Sequence, residues 1–397
     1  MKIVGIIAEY NPFHQGHAYH LAESRKITQA DYVIVVMSGN YVQRGIPAMF
    51  DKYTRARAAL KQGADLILEL PLSAATGSAE YFASGAVSLL QHTGIVTDLC
   101  FGSECGNLTL LQRPADVLSE EPPEYQQFLR DYLKKGEPYP KARALALHSY
   151  DASIPLELLN EPNNLLALEY LKALGKYNCT IQPHTICRKG NHYHDIQLTE
   201  GIPASASGIR TALIEKKGTF TDELQKQLPF YHLFENYSGK TPITEDAFSL
   251  LLLEKLRRIQ HEPLTVYFDV NEELSNRIWN CIDDFTSFSQ FTDRLKTKNL
   301  TRTAVSRALL HILLDIRAYE EPSMFRVLGF RKHSAQLLKM LTEKGSLPVV
   351  TSLTNSNLPE KAFYADRLYE SVRSLLHEQP YQNEYRRKML VIQEDLS

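Results

Sequence analysis

Four short apolar runs near the start of the chain do most to restrict its fold: KIVGIIA, DYVIVVMSG, ADLILELP and VTDLCFGSE. Helical segments lie between them, GHAYHLAESRKI, FDKYTRARAALKQG and SAEYFASGAVSLLQHTG, the second stopped by Gly63. Buried strands alternating with helices of about 12 residues indicate right-handed βαβ units and a parallel sheet. The fold class expected is therefore α/β, with a doubly wound sheet. A ligand of such a sheet binds at the carboxyl ends of its strands.

The later sequence has a different texture. From Leu108 to about Gly175 it reads as helices broken at Pro122, Pro123 and Pro138, which makes an insertion of about 108–175 beside the sheet. TIQPHTICR reads as a return strand and SASGIRTALIEKKG as a serine-capped helix. After about Gly218 the segments are mainly helical, and only SLPVVTSL suggests a strand. A chain of 397 residues suits two domains, at roughly 150 residues each. We divide it into residues 1–217, carrying the sheet and its helical insertion, and a mainly helical 218–397.

The net charge of −2 argues against a surface built throughout for nucleic acid, while leaving room for a local basic face. The five cysteines, Cys100, Cys105, Cys179, Cys187 and Cys281, include no CxxC pair, so reduced thiols in a cytoplasm are expected. The N-terminus reads as a strand entering a polar turn, not as a signal peptide. No apolar run approaches the roughly 20 residues that span a bilayer.

Directly after the first strand comes NPFHQGH, with His14 and His17 three apart around Gly16. At a helix start, two such histidines occupy one face. A glycine lets a group approach the backbone, and free N–H groups with the dipole favour a phosphate. Imidazoles there can donate to phosphate oxygens that gain charge during nucleotidyl transfer. A turn bearing two solvated histidines also satisfies the motif taken alone. Much later, SASGIR sets Ser205, Ser207 and Arg210 at another helix start. The serines can cap the helix or donate to phosphate, and Arg210 can grip a phosphate bidentately.

This pairing resembles the HxGH nucleotidyltransferase superfamily. GIIAEYNPFHQGHAYHL, VMSGNYVQRGIPAMFDKYTRARAALKQGADLILELP, SAEYFASGAVSLL, FGSE, PNNLLALEYL and SASGIR more closely resemble the bacterial tRNA(Met) cytidine acetate ligase family. The likeness is dense up to Arg210 and loose beyond it. It implies a nucleotidyltransferase-like ATP-binding domain and a tRNA-binding C-terminal domain. It further implies activation of acetate as acetyl-adenylate and acetylation of N4 of the wobble cytidine of elongator tRNA(Met). ATP would lie along Ile7, Ala8, Glu9, Tyr10, Asn11, Pro12, Phe13, His14, Gln15, Gly16, His17, Ala18, Tyr19 and His20, with Gly102, Asn163 and Arg188. His14 and His17 would be the catalytic phosphate holders, and Ser205, Ser207 and Arg210 would lie near the β- and γ-phosphates. The superfamily's usual ISSTxIR is ASASGIR in this chain, so Ala206 replaces one serine. Magnesium on the pyrophosphate is expected from the chemistry, with no site assigned to it. Two other readings fit the motifs: an adenylyltransferase that forms a dinucleotide cofactor, and a nucleotide-sensing RNA-binding protein without catalysis.

Around the same sheet edge, Ser38, Asn40, Gln43 and Arg44 are candidates for acetate contact, and they also suit an ordinary polar loop. Asp51 reads as a helix N-cap. Asp65, Glu69 and Glu104 are candidate bases or metal ligands, or simply members of structural ion pairs. In HTICRKGNHYHD, His184, His192, His194 and Asp195 lack the cysteine pair that would complete a zinc set. Between Ser289 and Ser346 basic residues prevail; Lys296, Lys298, Arg302, Arg331 and Lys332 are the tRNA candidates, with Phe325 and Phe330 as candidates for stacking on bases, and a charged helical surface with both phenylalanines in the core also explains these residues.

Overall fold

The computed structural model describes residues 1–188, 204–260, 262–354 and 363–393. Strands β1 (Ile3–Ala8), β2 (Tyr32–Ser38), β3 (Leu66–Leu70), β4 (Asp98–Ser103) and β5 (Gln182–Cys187) run parallel in the spatial order β3-β2-β1-β4-β5. The order reverses at β1, so a crevice opens beyond the carboxyl ends of β1 and β4, where doubly wound sheets bind ligands. The expected α/β architecture is present.

Alternation along β2 shows how the sheet is buried on both faces. Ile34 and Val36 enter one core, with residues of α3 (Ala79–His92), α4 (Leu108–Glu120) and α7 (Pro162–Lys176). Val33, Val35 and Met37 enter the other, with residues of α1 (Gln15–Thr28), α2 (Lys52–Lys61) and α8 (Ala206–Glu215). Between α4 and α7, α5 (Pro123–Lys134) and α6 (Tyr139–Tyr150) complete the helical insertion. A third core joins α9 (Ser249–Arg258), α10 (Glu272–Cys281), α11 (Phe288–Leu295), α12 (Arg302–Leu314) and α14 (Tyr364–Leu376). Helix α13 (Gln336–Lys344) instead puts Leu337 and Leu341 into the first core. Among the described residues no helix is long and apolar enough to cross a membrane.

The later half differs from the sequence expectation in one respect. Phe325–Arg331 forms β6, antiparallel to β3, and Leu390–Ile392 forms β8, parallel to β6. Both extend the central sheet, while β7 (Val349–Val350), inside SLPVVTSL, pairs only with β6. The FRVLGFR run conceals a strand because arginines punctuate it. Arg326 is nevertheless buried, and donates to the Tyr53 hydroxyl at 3.2 Å and to Glu384 at 3.4 Å. Phe325 and Phe330 are buried too, so neither is a base-stacking platform.

Phe325→Ala should therefore behave as a core deletion and lower stability by about 3–5 kcal/mol in urea unfolding. A change below about 0.5 kcal/mol would place the ring at the surface.

Candidate functional site

The opening turn is shaped before any ligand arrives. Tyr10 adopts φ of 51°, an uncommon conformation for a bulky residue, and the Asn11–Pro12 peptide is cis. Asn11 is buried, and its Oδ1 accepts from the Met49 N–H at 2.9 Å. Tyr10, Phe13 and Ala18 are core residues that pin the turn. Gln15 is exposed and donates to the Lys226 carbonyl at 3.2 Å.

The two histidines cap α1 reciprocally. The Gly16 N–H donates to His14 Nδ1 at 3.0 Å, and the His14 N–H donates to His17 Nδ1 at 3.3 Å. The Nδ1 atoms act as acceptors, so each neutral ring carries its proton on Nε2. Gly16 makes this packing possible, since a Cβ there would stand 2.8 Å from His14 Cε1. Burial, followed by the positive Arg188 and Arg210, lowers the His14 pKa to about 3. Burial and then His14 hold His17 well below its ordinary value, and burial brings His20 down to about 4. The stretch thus offers neutral N–H donors at neutral pH, and cationic charge must come from elsewhere.

Arg210 supplies some of it. From the first turns of α8 it donates to the Asn11 carbonyl at 2.6 Å, joining two motifs that lie 199 residues apart. Burial first, then Arg44, lowers its pKa to about 10, which leaves it charged at neutral pH. Ser205 caps α8, accepting from the Gly208 N–H at 3.1 Å, and Ser207 lies in the same first turn. From the other side Arg188 follows β5 and passes over Gly102 of β4, its Cγ 3.3 Å from where a Cβ would be. Two imidazole donors, a helix N-terminus, two guanidiniums and serine hydroxyls meet at the switch point of the sheet. That set suits a polyphosphate.

Comparison with known proteins identifies the family. The chain matches the family described as HIGH Nucleotidyl Transferase over residues 1–388. It is 41% identical over 371 residues to a tRNA(Met) cytidine acetate ligase of Acetivibrio thermocellus, covering 89% of each chain. To one from Halothermothrix orenii it is 39% identical over 417 residues, covering 98% of this chain and 99% of that one. The crystal structure of apo Thermotoga maritima TmcAL superposes with a TM-score of 0.89 at 32% identity, covering 99% of this chain and 100% of that one. The form bound with alpha-thio ATP gives 0.85 at 31% identity, with the same coverage. The chain belongs to the tRNA(Met) cytidine acetate ligase family.

For a member of this ligase family, the remaining sequence candidates divide clearly. Glu104 is a fastener: its carboxylate accepts from the Asn163 and Asn164 N–H groups at 3.2 and 2.8 Å, at the start of α7. Asn163 Nδ2 also donates to it at 2.5 Å, and Asn164 Oδ1 accepts from the Glu104 N–H at 3.0 Å. FGSE and PNNLL thus brace one another. Asp65 precedes β3, at the end of the sheet away from the crevice, bonded to Arg25 at 2.5 Å, Val33 N–H at 2.8 Å and Ser334 at 2.7 Å. That placement removes it as a base. Asn40 is buried and engaged, donating to Asp366 at 2.9 Å and accepting from the Lys52 N–H at 2.9 Å. Ser38 Oγ and Gln43 Nε2, by contrast, are buried polar atoms with no hydrogen-bond partner among the described residues. Arg44 is half-buried. Asp51 is the expected N-cap, accepting from the Tyr53 and Thr54 N–H groups at 2.9 and 3.2 Å. His184 meets Asp98 at 2.7 Å, while His192, His194 and Asp195 lie outside the described residues. Among the described residues, no three His, Cys, Asp or Glu side chains converge as a metal-holding group.

Of the basic candidates, Lys296, Lys298, Arg302 and Lys332 are exposed and Arg331 is half-buried. Lys296 pairs with Asp293 at 3.2 Å, Arg302 with Glu245 at 3.3 Å, and Lys298 donates to the Gly136 carbonyl at 2.6 Å. Exposed pairs of this kind contribute about 0–1 kcal/mol, so they yield readily to a phosphate.

Sequence reading missed the two cations that build the edge. Arg55 on α2 is fully buried and donates to four carbonyls: Glu9 at 2.6 Å, Phe50 at 2.9 Å, Ser38 at 3.1 Å, and Gly39. Lys52 is also buried, and meets Glu69 at 2.9 Å, Asp366 at 2.7 Å and Glu384 at 2.9 Å. Burial first, together with Asp366 and Glu384, raises Glu69 to about 7 against the pull of Lys52. Gly39 is needed there, because a side chain would collide with Glu69. In FDKYTRARAAL these cations look like ordinary helix surface.

Arg55→Lys keeps the charge but cannot serve four carbonyls. At about 1–3 kcal/mol for each buried group left unpaired, it should lose at least about 3 kcal/mol in urea unfolding. The histidines give a pH signature. His14 is neutral in the fold, and once unfolded it takes up a proton below its ordinary 6.5. Its contribution is therefore complete above pH 6.5 and lost as the pH falls from there toward about 3. Wild type should lose more stability than His14→Gln between about pH 7 and about pH 4.5, and equal losses would contradict the assignment.

Proposed function

We propose that the protein is an ATP-dependent ligase that activates acetate and acetylates N4 of the wobble cytidine of elongator tRNA(Met). The observation that carries this reading is the meeting of HxGH with Arg210 at the switch point of the sheet. An acetate oxygen attacks the α-phosphorus of ATP; the bond to pyrophosphate breaks, and acetyl-adenylate forms. Negative charge grows on the phosphate oxygens during this step. His14 and His17 donate to them through Nε2–H, and the Arg188 and Arg210 guanidiniums supply the positive field. Donors fixed in advance do not reorganise as the charge develops, which is the main source of rate in such a site. The cytidine N4 then attacks the acetyl carbonyl, AMP departs, and N4 gives up a proton.

Ser38 Oγ and Gln43 Nε2 fit the acetate end, since each is a buried polar atom without a partner among the described residues. Burying such an atom unpaired costs about 1–3 kcal/mol, which a bound carboxylate relieves. The tRNA would approach over the exposed cations of the C-terminal half. Free cysteines and a substrate of this kind fit a cytoplasmic location.

Acetate-dependent ATP–pyrophosphate exchange, with tRNA present, tests this directly. Wild type should require acetate. His14→Ala should lose on the order of 10²-fold or more in rate, as when one transition-state donor is removed. Gln43→Leu should raise the KM for acetate more than the KM for ATP. Exchange that ignores acetate would refute the ligase. Binding of ATP and tRNA with no exchange would favour the nucleotide-sensing RNA-binding protein.

A further inference from the structure

A second polar hollow lies on the same edge of the sheet, away from the HxGH turn. It encloses about 500 Å3 and is lined by Asp51, Arg57, His232, Arg373, Arg387 and Lys388, among others. Four of these are permanent cations and one is a carboxylate. Asp51 is fully engaged, by the Tyr237 hydroxyl at 2.5 Å, Thr54 Oγ1 at 2.7 Å and Arg387 at 3.1 Å. Arg373 is neutralised by Glu370 at 2.7 Å. Arg57 and Lys388 are exposed and have no ion pair among the described residues. The hollow therefore presents two uncompensated charges.

Its position matters as much as its charge. Asp51, in the hollow's wall, caps the N-terminus of α2, which follows β2 and so lies toward the carboxyl ends of the strands, and Arg57 shares one face of that helix with Tyr53 and Thr54. Lys388 leads into β8, which runs antiparallel to β3 and so enters from the same carboxyl side. An RNA held at this hollow would lie on the carboxyl side of the sheet, the side on which the nucleotide crevice opens. The hollow offers cations to backbone phosphates there.

We infer that this hollow is a phosphate-binding subsite for the RNA substrate, with Arg57 and Lys388 contacting successive backbone phosphates. The inference rests on the proposed tRNA substrate. It adds a contact surface on the sheet edge, distinct from Lys296, Lys298, Arg302, Arg331 and Lys332.

The test is tRNA binding as a function of salt, using wild type, the double variant Arg57→Gln/Lys388→Gln, and the charge-preserving Arg57→Lys/Lys388→Arg. Removing two phosphate contacts should weaken binding about tenfold or more near 0.1 M salt, and reduce the slope of log K against log salt by about one to two. The charge-preserving variant should recover most of both. Affinity and slope equal to wild type would overturn the subsite while leaving the ligase reading intact. A loss of affinity at unchanged slope would also overturn it, because phosphate contacts must release counterions. ATP affinity of the same variants checks that the fold persists, and wild type that binds no tRNA at all would refute the proposed function itself.

Discussion

One guanidinium sets the geometry on which the rest of this molecule depends. Arg55 is completely buried, pairs with no carboxylate among the described residues, and gathers carbonyls from the ends of two strands and the segment before α2. Carbonyl ends in a loop repel one another and seek water; a planar cation with five donors satisfies them together. The turn that begins at Glu9 is thereby fixed to the Ser38–Gly39 turn. His14 follows within a few residues, so the HxGH turn inherits its position from a residue outside it. This is the supporting layer that a preorganised site requires.

A second buried cation ties the distant end of the chain to the same place. Lys52 holds Glu69 from β3, Asp366 from α14 and Glu384 from the segment before β8. Networks like this seldom add net stability, because desolvating the charges offsets their attraction, yet losing one member leaves an uncompensated charge. Their value lies in specificity: only one placement of α14 satisfies the lysine. Asn40 donates to the same Asp366, so the loop beside the crevice feels the position of a helix more than 300 residues away.

Much of this was legible in the sequence. The apolar runs revealed the parallel sheet, and HxGH and SASGIR marked two helix starts that the fold brings together through Arg210 and the Asn11 carbonyl. Asp51 was readable as a cap from its spacing alone. The carboxylates were not: Asp65, Glu69 and Glu104 all sit beside strands, and sequence does not say which end of a strand faces the crevice. The burial of Lys52, Arg55 and Arg326 was not readable from the sequence for one shared reason: charged residues are almost never fully buried unless something polar surrounds them. Their partners come from remote segments, and no local pattern announces that. For the same reason the strand in FRVLGFR went unexpected.

The place of β6 in the sheet also bears on how the chain is made. β3 is flanked by β2 on one side and by β6 on the other, and β6 is separated from it by more than 250 residues of sequence. During synthesis the first strands and their helices can assemble early, but β3 stays an open edge until residue 325 has emerged. An unpaired apolar edge is a template for pairing with another chain. LILEL is such an edge, with one charge in five residues. A fragment ending near residue 217 would keep that edge bare permanently. The nascent chain thus lacks the partner of this strand for most of its translation, and its C-terminal half supplies the strand that covers the edge.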